Sequence, residues 1–259
     1  MARLILFICA SALVLAGTCL ALDKDLIAYW TFDEGVGKTA KDMTGNGHDG
    51  KFVGDPKWVQ GKFGKALEFD GISNYVEVPD DPGFAIEANI TFSTWFSPSV
   101  TINPANNNYR MISKNNDYFL LFNYEKLGQL GFLVKDPGGT NHVVHSVTSE
   151  WKEGEWYHAA GTFDGKELKI YINGELENTL SYNGTVGTSK LALWIGADDF
   201  PAYYAGAIDD FRIYKRDLDN AEIKQAMDSP ALAVHPSGIS LATTWGNIRK
   251  AFMDIMGGL

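Results

Sequence analysis

The chain has 259 residues, 45% hydrophobic, 13% aromatic and 21% charged, a globular profile that excludes a disordered or fibrous protein. Its net charge of -10 disfavours phosphate backbones, so no nucleic-acid partner is expected, and acidic loops suit a hard divalent cation instead. The length allows one large β domain or two small ones.

Arg3 precedes an apolar run from Leu4 to Val14, and Ala16, Gly17 and Thr18 follow. This pattern predicts a secretory signal peptide over residues 1–21, cut after Ala21. The alternative is an uncleaved anchor, although the run is short for a span. Cys19 also invites lipidation, but Thr18 is bulky beside the bond that would be cut. Cys9 and Cys19 are the only cysteines. Cleavage after Ala21 leaves no disulfide, thiolate nucleophile or thiolate zinc site. The mature chain is expected to be secreted, or held at the cell surface or in the periplasm, with no membrane span after cleavage.

Short β-rich runs follow: Leu26–Phe32, Ala66–Phe69, Tyr75–Val78, Ile90–Phe96, Tyr118–Phe122, Gln129–Val134 and His142–Val147. Trp156–Phe163, Leu168–Ile172, Glu175–Leu180, Leu191–Ile195 and Ala207–Tyr214 complete the set. Gly, Asn and Asp turns separate them, which predicts an all-β fold, a sandwich or jelly roll. Asn173-Gly174 suits a type I′ hairpin, where both central residues need positive φ. Asp219 and Glu222 form a capping box for one short helix after the last strand. Residues 229–259 read as a linker, with Pro236 and Gly238, and a C-terminal helical tail. Within the tail Trp245, Ile248, Phe252 and Ile255 share one stripe. Such a helix docks either on the sandwich or on a partner or the cell surface.

Three segments carry a resemblance. They are Ala28–Gly35 with Asp42-Met43-Thr44-Gly45-Asn46-Gly47-His48-Asp49-Gly50, then Trp156–Gly165 leading into Leu168–Gly174, and finally Gly206–Tyr214 with Arg216-Asp217-Leu218. Together they resemble the LamG-like jelly-roll domain of the concanavalin A-like lectin/glucanase superfamily, over residues 22–228. The resemblance implies a two-sheet antiparallel jelly-roll sandwich with one concave sheet. It implies no single function, because that superfamily holds lectins, adhesion modules, pentraxins and glycoside hydrolases.

Glycanases of the superfamily carry paired acids on one strand, spaced so that nucleophile and acid/base flank one bond. Glu68-Phe69-Asp70 has the first pair, but Gly71, Ile72 and Ser73 follow. Glu175-Leu176-Glu177 reads as a solvated strand face, and Glu153-Gly154-Glu155 as a turn. His158 reads as a hydrogen-bonded structural residue. The sequence thus predicts no enzyme, with a glycoside hydrolase lacking the usual acids as a remote alternative.

The resemblance also implies a structural calcium tying the first loop to the last strand. Asp33 and Asp209 would offer carboxylates, Asn46 and His48 carbonyls, and Asp210 competes with Asp209 because a bulge would exchange the two. By likeness to the pentraxins, Asn116, Asp117, Asp198 and Asp199 are candidates for a ligand-linked ion, although Phe200 and Pro201 replace further oxygen ligands. For a sugar, aromatic faces cover C–H patches while amides and carboxylates take hydroxyls. Trp30, Trp95 and Trp156 read as core, leaving Tyr109, Trp194, Tyr203 and Tyr204 as surface candidates. Two functions are therefore expected to compete: a glycan-binding module, and an interaction or scaffold module for an extracellular protein.

Overall fold

A computed structural model describes residues 23–102, 109–198 and 202–228. The expected signal peptide with its two cysteines, Asp199 and the expected tail at 229–259 lie outside the described residues.

The strands in chain order are β1 (Leu26–Trp30), β2 (Thr39–Ala40), β3 (Gly50–Val53), β4 (Lys57–Gln60), β5 (Lys65–Asp70), β6 (Tyr75–Val78), β7 (Ile90–Pro98) and β8 (Arg110–Lys114). There follow β9 (Tyr118–Phe122), β10 (Leu130–Lys135), β11 (Asn141–His145), β12 (Tyr157–Phe163), β13 (Glu167–Ile172), β14 (Glu175–Ser181), β15 (Leu193–Ile195) and β16 (Ala205–Tyr214). Among the described residues one helix, α1 (Asn220–Asp228), comes after β16. Two eight-stranded antiparallel sheets result. Sheet A runs β14-β13-β12-β7-β16-β5-β4, with β1 also on β16; sheet B runs β11-β10-β9-β8-β15-β6-β3-β2. This is the expected jelly-roll sandwich.

Alternation decides which side chains meet between the sheets. Phe92 of β7, Phe132 of β10 and Phe211 of β16 point inward, with the Phe92 ring 5.8 Å from Phe132 and 5.5 Å from Phe211. The Asn173-Gly174 turn has φ of 51° and 78°, as a type I′ hairpin requires.

The outer faces differ. On sheet A, α1 covers a second cluster of Tyr29, Ala160, Tyr171, Tyr214 and Leu218 with its own Ile223 and Ala226. The covered central strands β7 and β16 are therefore buried along their whole length. On sheet B the outer cluster is small, Phe119, Leu121 and Leu133, with Tyr124 and Val143 beside it. No described helix lies over it.

Three expectations need correction. Trp156 is half-buried just ahead of β12, and Trp151 sits in the core instead. Tyr204 is wholly buried in the main core. Glu177 is not simply solvated: its carboxylate accepts from the Val147 N–H at 2.7 Å, the Thr148 N–H at 2.9 Å and the Thr148 hydroxyl, tying β14 of sheet A to the chain that follows β11 of sheet B.

Candidate functional site

The outer face of sheet B gathers aromatic side chains. Pairing places Trp194 of β15 between Glu77 of β6 and Ser113 of β8, with Lys51 of β3 beyond Glu77. The alternation of β6 turns Val76 and Val78 into the core and leaves Tyr75 and Glu77 outside. The Tyr75 ring lies 4.7 Å from Trp194 and 6.5 Å from Tyr203, so three rings form one half-buried group. Burial, then the nearby Glu77 and Tyr203, push the Tyr75 hydroxyl pKa up, so it stays a neutral donor.

Beside this group Arg110 Nε pairs with Asp198 Oδ2 at 2.9 Å, and its guanidinium lies over Phe119 and Tyr124 at 5.5 and 5.8 Å. Both charged side chains are largely buried, so the pair is a fixed polar feature. Trp194 and Tyr203 thus lie on one half-buried group, and the buried Asp198 sits beside it. Tyr75 and Arg110 were not anticipated. Tyr204 cannot take part, because its ring is enclosed in the main core just ahead of β16. Tyr109 packs half-buried against the core.

The other expected ion cluster is divided. Arg110 and Lys114 begin and end β8, four residues or about 13 Å apart. Asp198 meets the first; Asp117 lies 3.5 Å from the second. Asn116 is exposed and accepts from Lys135 Nζ at 3.0 Å.

The first-loop residues also form two groups. Asn46 Nδ2 donates to the Ile27 carbonyl at 3.0 Å, and His48 Nδ1 lies 2.8 Å from the same oxygen. The His48 carbonyl accepts from the Trp30 indole at 2.9 Å. Asp42 organises this loop: its carboxylate accepts from the N–H groups of Tyr29, Thr44 and His48 and from the Thr44 hydroxyl. The Asp-x-x-Gly-Asn-Gly spacing was the available signal for that role. Asp33 and Asp209 meet a different turn, accepting from Lys65 N at 2.7 Å and Phe63 N at 3.0 Å.

The expected bulge is present. The register of β16 on β7 shifts between Asp209 and Arg212, and Asp210 has φ of 52°. On its other edge β16 pairs with β5 up to Ile208 and with β1 from Phe211, so Asp209 and Asp210 occupy the gap. Asp210 accepts from the Tyr29 hydroxyl and lies 3.5 Å from Arg212. Burial, and then Asp210 and Asp33, push the Asp209 carboxyl up to about 8. Asp209 Oδ1 and Asp210 Oδ2 are buried without a hydrogen-bond partner. Among the described residues no three His, Cys, Asp or Glu side chains gather as a metal site. An ion would therefore need backbone carbonyls as well. The orphaned oxygen and the repulsion fit a cation at Asp33 and Asp209; the engaged Asn46 and His48 do not join that set.

Asp70 closes the turn after β5. Burial raises the Asp70 pKa, but hydrogen bonds from Ser73, Ile72 and Asn74 outweigh it and hold the carboxyl below its ordinary value. Asp70 is a turn-forming acceptor, unlike the raised-pKa proton donor of a glycosidase.

The pattern of one family, described as the concanavalin A-like lectin/glucanases superfamily, matches residues 70–224. Pappalysin-1 of Mus musculus is 26% identical over 110 residues, covering 40% of this chain; the chain spans 7% of that relative's length. Domain 4 of AbnA, a GH43 extracellular arabinanase from Geobacillus stearothermophilus solved with arabinotriose, has a TM-score of 0.62 at 21% identity, over 78% of this chain and 98% of that one. The binding domain of Paraclostridial Mosquitocidal Protein 1 gives 0.65 at 18%, over 77% and 51%. The binding domain of Botulinum neurotoxin DC, solved with rat synaptotagmin II, gives 0.62 at 17%, over 80% and 52%. Among the described residues no helix is long and apolar enough to cross a membrane. The match over more than half of the sequence, on two stacked antiparallel sheets, makes this chain a member of the concanavalin A-like lectin/glucanase superfamily.

Proposed function

We propose that the chain is a secreted or surface-held, non-catalytic carbohydrate-binding module that takes a glycan on the outer face of sheet B. The carrying observation is the Tyr75–Trp194–Tyr203 group on the sheet face that α1 leaves uncovered. Ring faces of this kind stack on the apolar C–H patches of a sugar, while Glu77 beside them accepts from hydroxyls. The fixed Arg110–Asp198 pair and the Lys51–Glu77 juxtaposition leave no excess positive charge, which favours a neutral sugar. A GH43 domain of the same fold carries arabinotriose, which supports the ligand class. The role of Asp70 supports a module that binds without hydrolysis.

A glycan array tests this reading. The chain should be retained on neutral glycans, Trp194→Ala should lose that signal, and no reducing ends should be released. Equal retention of the variant, or turnover of the bound polysaccharide, removes the proposal. Capture of a protein partner by the same face, with no glycan retained, would favour the scaffold reading.

A structural calcium ion at Asp33 and Asp209 is a second proposal, carried by the orphaned Asp209 Oδ1. The ion would neutralise the repelling carboxylates and brace the turn between β4 and β5.

A further inference from the structure

At the Lys114 end of β8 lies an open cleft of about 630 Å³. Its walls include Glu87, Asn116, Lys135, Asp136, Thr185 and Thr188. These walls are held firmly. Lys114, wholly buried, directs its ammonium to Leu191 O at 2.6 Å, Asp80 Oδ1 at 2.8 Å, Ser189 O at 3.3 Å and Asp117 Oδ2 at 3.5 Å. It therefore anchors the chain next to Asn116 and next to Thr188 at once. Lys135 N donates to Asp117 O at 2.8 Å, and Gly187 N donates to Lys135 O at 2.7 Å. A Cβ at Gly187 would stand 2.8 Å from Asn116 O, so only glycine allows that approach. A buried ammonium among oxygens does here what a bound ion does in a loop cluster: it neutralises carboxylates and joins segments.

The lining defines a ligand. Glu87 and Asp136 line the cleft with one ammonium, Lys135, which lies 3.0 Å from Asn116 Oδ1; Asp136 accepts from Thr140 N at 2.8 Å and lies 3.1 Å from His142 Nε2, so phosphates and other anions are disfavoured. Pro137 and Val186 are the apolar members, too few for a lipid or an apolar peptide. Carboxylate, amide and hydroxyl groups suit several hydroxyls at once. We propose that this cleft is a second ligand site, for a neutral hydroxyl-rich oligosaccharide, which the Lys114 strut keeps preformed without a divalent cation. The site is separate from the aromatic face, since Asp198 and Lys114 mark opposite ends of β8. Binding at the cleft does not depend on binding at the face.

Amide NMR of the full chain tests the proposal. The probes are arabinotriose, cellotriose, xylotriose, laminaritriose, mannotriose and chitotriose, each with and without EDTA, and tetralysine as a charge control. At least one sugar should give saturable shifts at residues 116, 135–139 and 185–188 that EDTA leaves unchanged. Thr188 is exposed, so Thr188→Trp should fill the cleft without unfolding the chain and weaken that binding by about tenfold or more. Shifts around Trp194 should persist in the variant. No saturable shift at the cleft with any sugar, loss of the shifts with EDTA, or a response to tetralysine alone overturns the second site. Shifts at the cleft without shifts around Trp194 would instead remove the aromatic-face reading and keep this one.

Discussion

His158 sits beneath the Trp95 ring with 1% exposure, and its Nε2 lies 2.9 Å from the Ser93 hydroxyl. Burial, reinforced by Arg212, pushes its pKa down to about 3. An unfolded histidine titrates near 6.5, so below that pH the unfolded chain binds the extra proton and stability falls as pH falls towards 3. Lowering the pH from 6.5 to 5 should cost about 2 kcal/mol through this group. Asp209 works in the opposite direction: its raised pKa favours the folded chain at low pH and loses that advantage as pH rises through about 8. Comparing wild type with His158→Gln separates the two. The variant should lack the histidine loss in urea unfolding at pH 6.5 and 5, and parallel losses would refute the assignment. The aromatic residues show how far single positions can be read. Tyr203 and Tyr204 looked equivalent, yet Tyr203 bridges Ala197 and joins the surface group, while Tyr204 fills the core. Tyr75 escaped notice because Tyr-Val-Glu-Val alternation shows that one face is apolar, not what stands across from the other.

At the level of the element, α1 is specified at both ends. The Asp219 carboxylate accepts from Glu222 N at 2.9 Å while Asp219 N donates to the Glu222 carboxylate at 2.9 Å, the box expected from spacing. Asp219→Ala should lower stability by about 1 kcal/mol in chemical unfolding, and an unchanged midpoint would contradict the cap. The far end relies on tertiary partners that no local pattern announces: Arg212 Nη1 donates to Ala226 O, and the Trp95 indole donates to Met227 O at 3.1 Å. They satisfy carbonyls that a helix end otherwise leaves open. Glu177 teaches the same lesson about strands. Its position after a hairpin suggested solvent, but the facing backbone donors come from the chain that follows β11 of the other sheet. Glu177→Ala leaves the Val147 and Thr148 N–H groups without this acceptor and should cost about 1–3 kcal/mol in urea unfolding. A smaller loss would mean that water replaces the carboxylate. Hairpin turns were legible because positive φ is a local demand; these ties were not, because they join distant segments.

Among the described residues, one outer face carries a helix and the other does not. A helix and a buried polar network of Tyr29, Asp210 and Arg212 cover sheet A, while no described helix covers the half-buried Tyr75–Trp194–Tyr203 group of sheet B. The jelly roll itself was legible because three motifs mark its first, middle and last strands. The proposed ion site was legible only in part. Asp33 and Asp209 meet one turn because β16 exchanges β5 for β1 beside it, a consequence of topology that spacing does not encode. If calcium occupies that gap, a chelator should lower the melting temperature and Asp33→Ala should abolish the response; an unchanged wild-type curve removes the ion. The most direct measurement is a calorimetric titration of the best array glycan into wild type and Trp194→Ala. The wild type should bind, and the variant should bind at least about tenfold more weakly, some 1.4 kcal/mol. Equal affinities for the two proteins would contradict this.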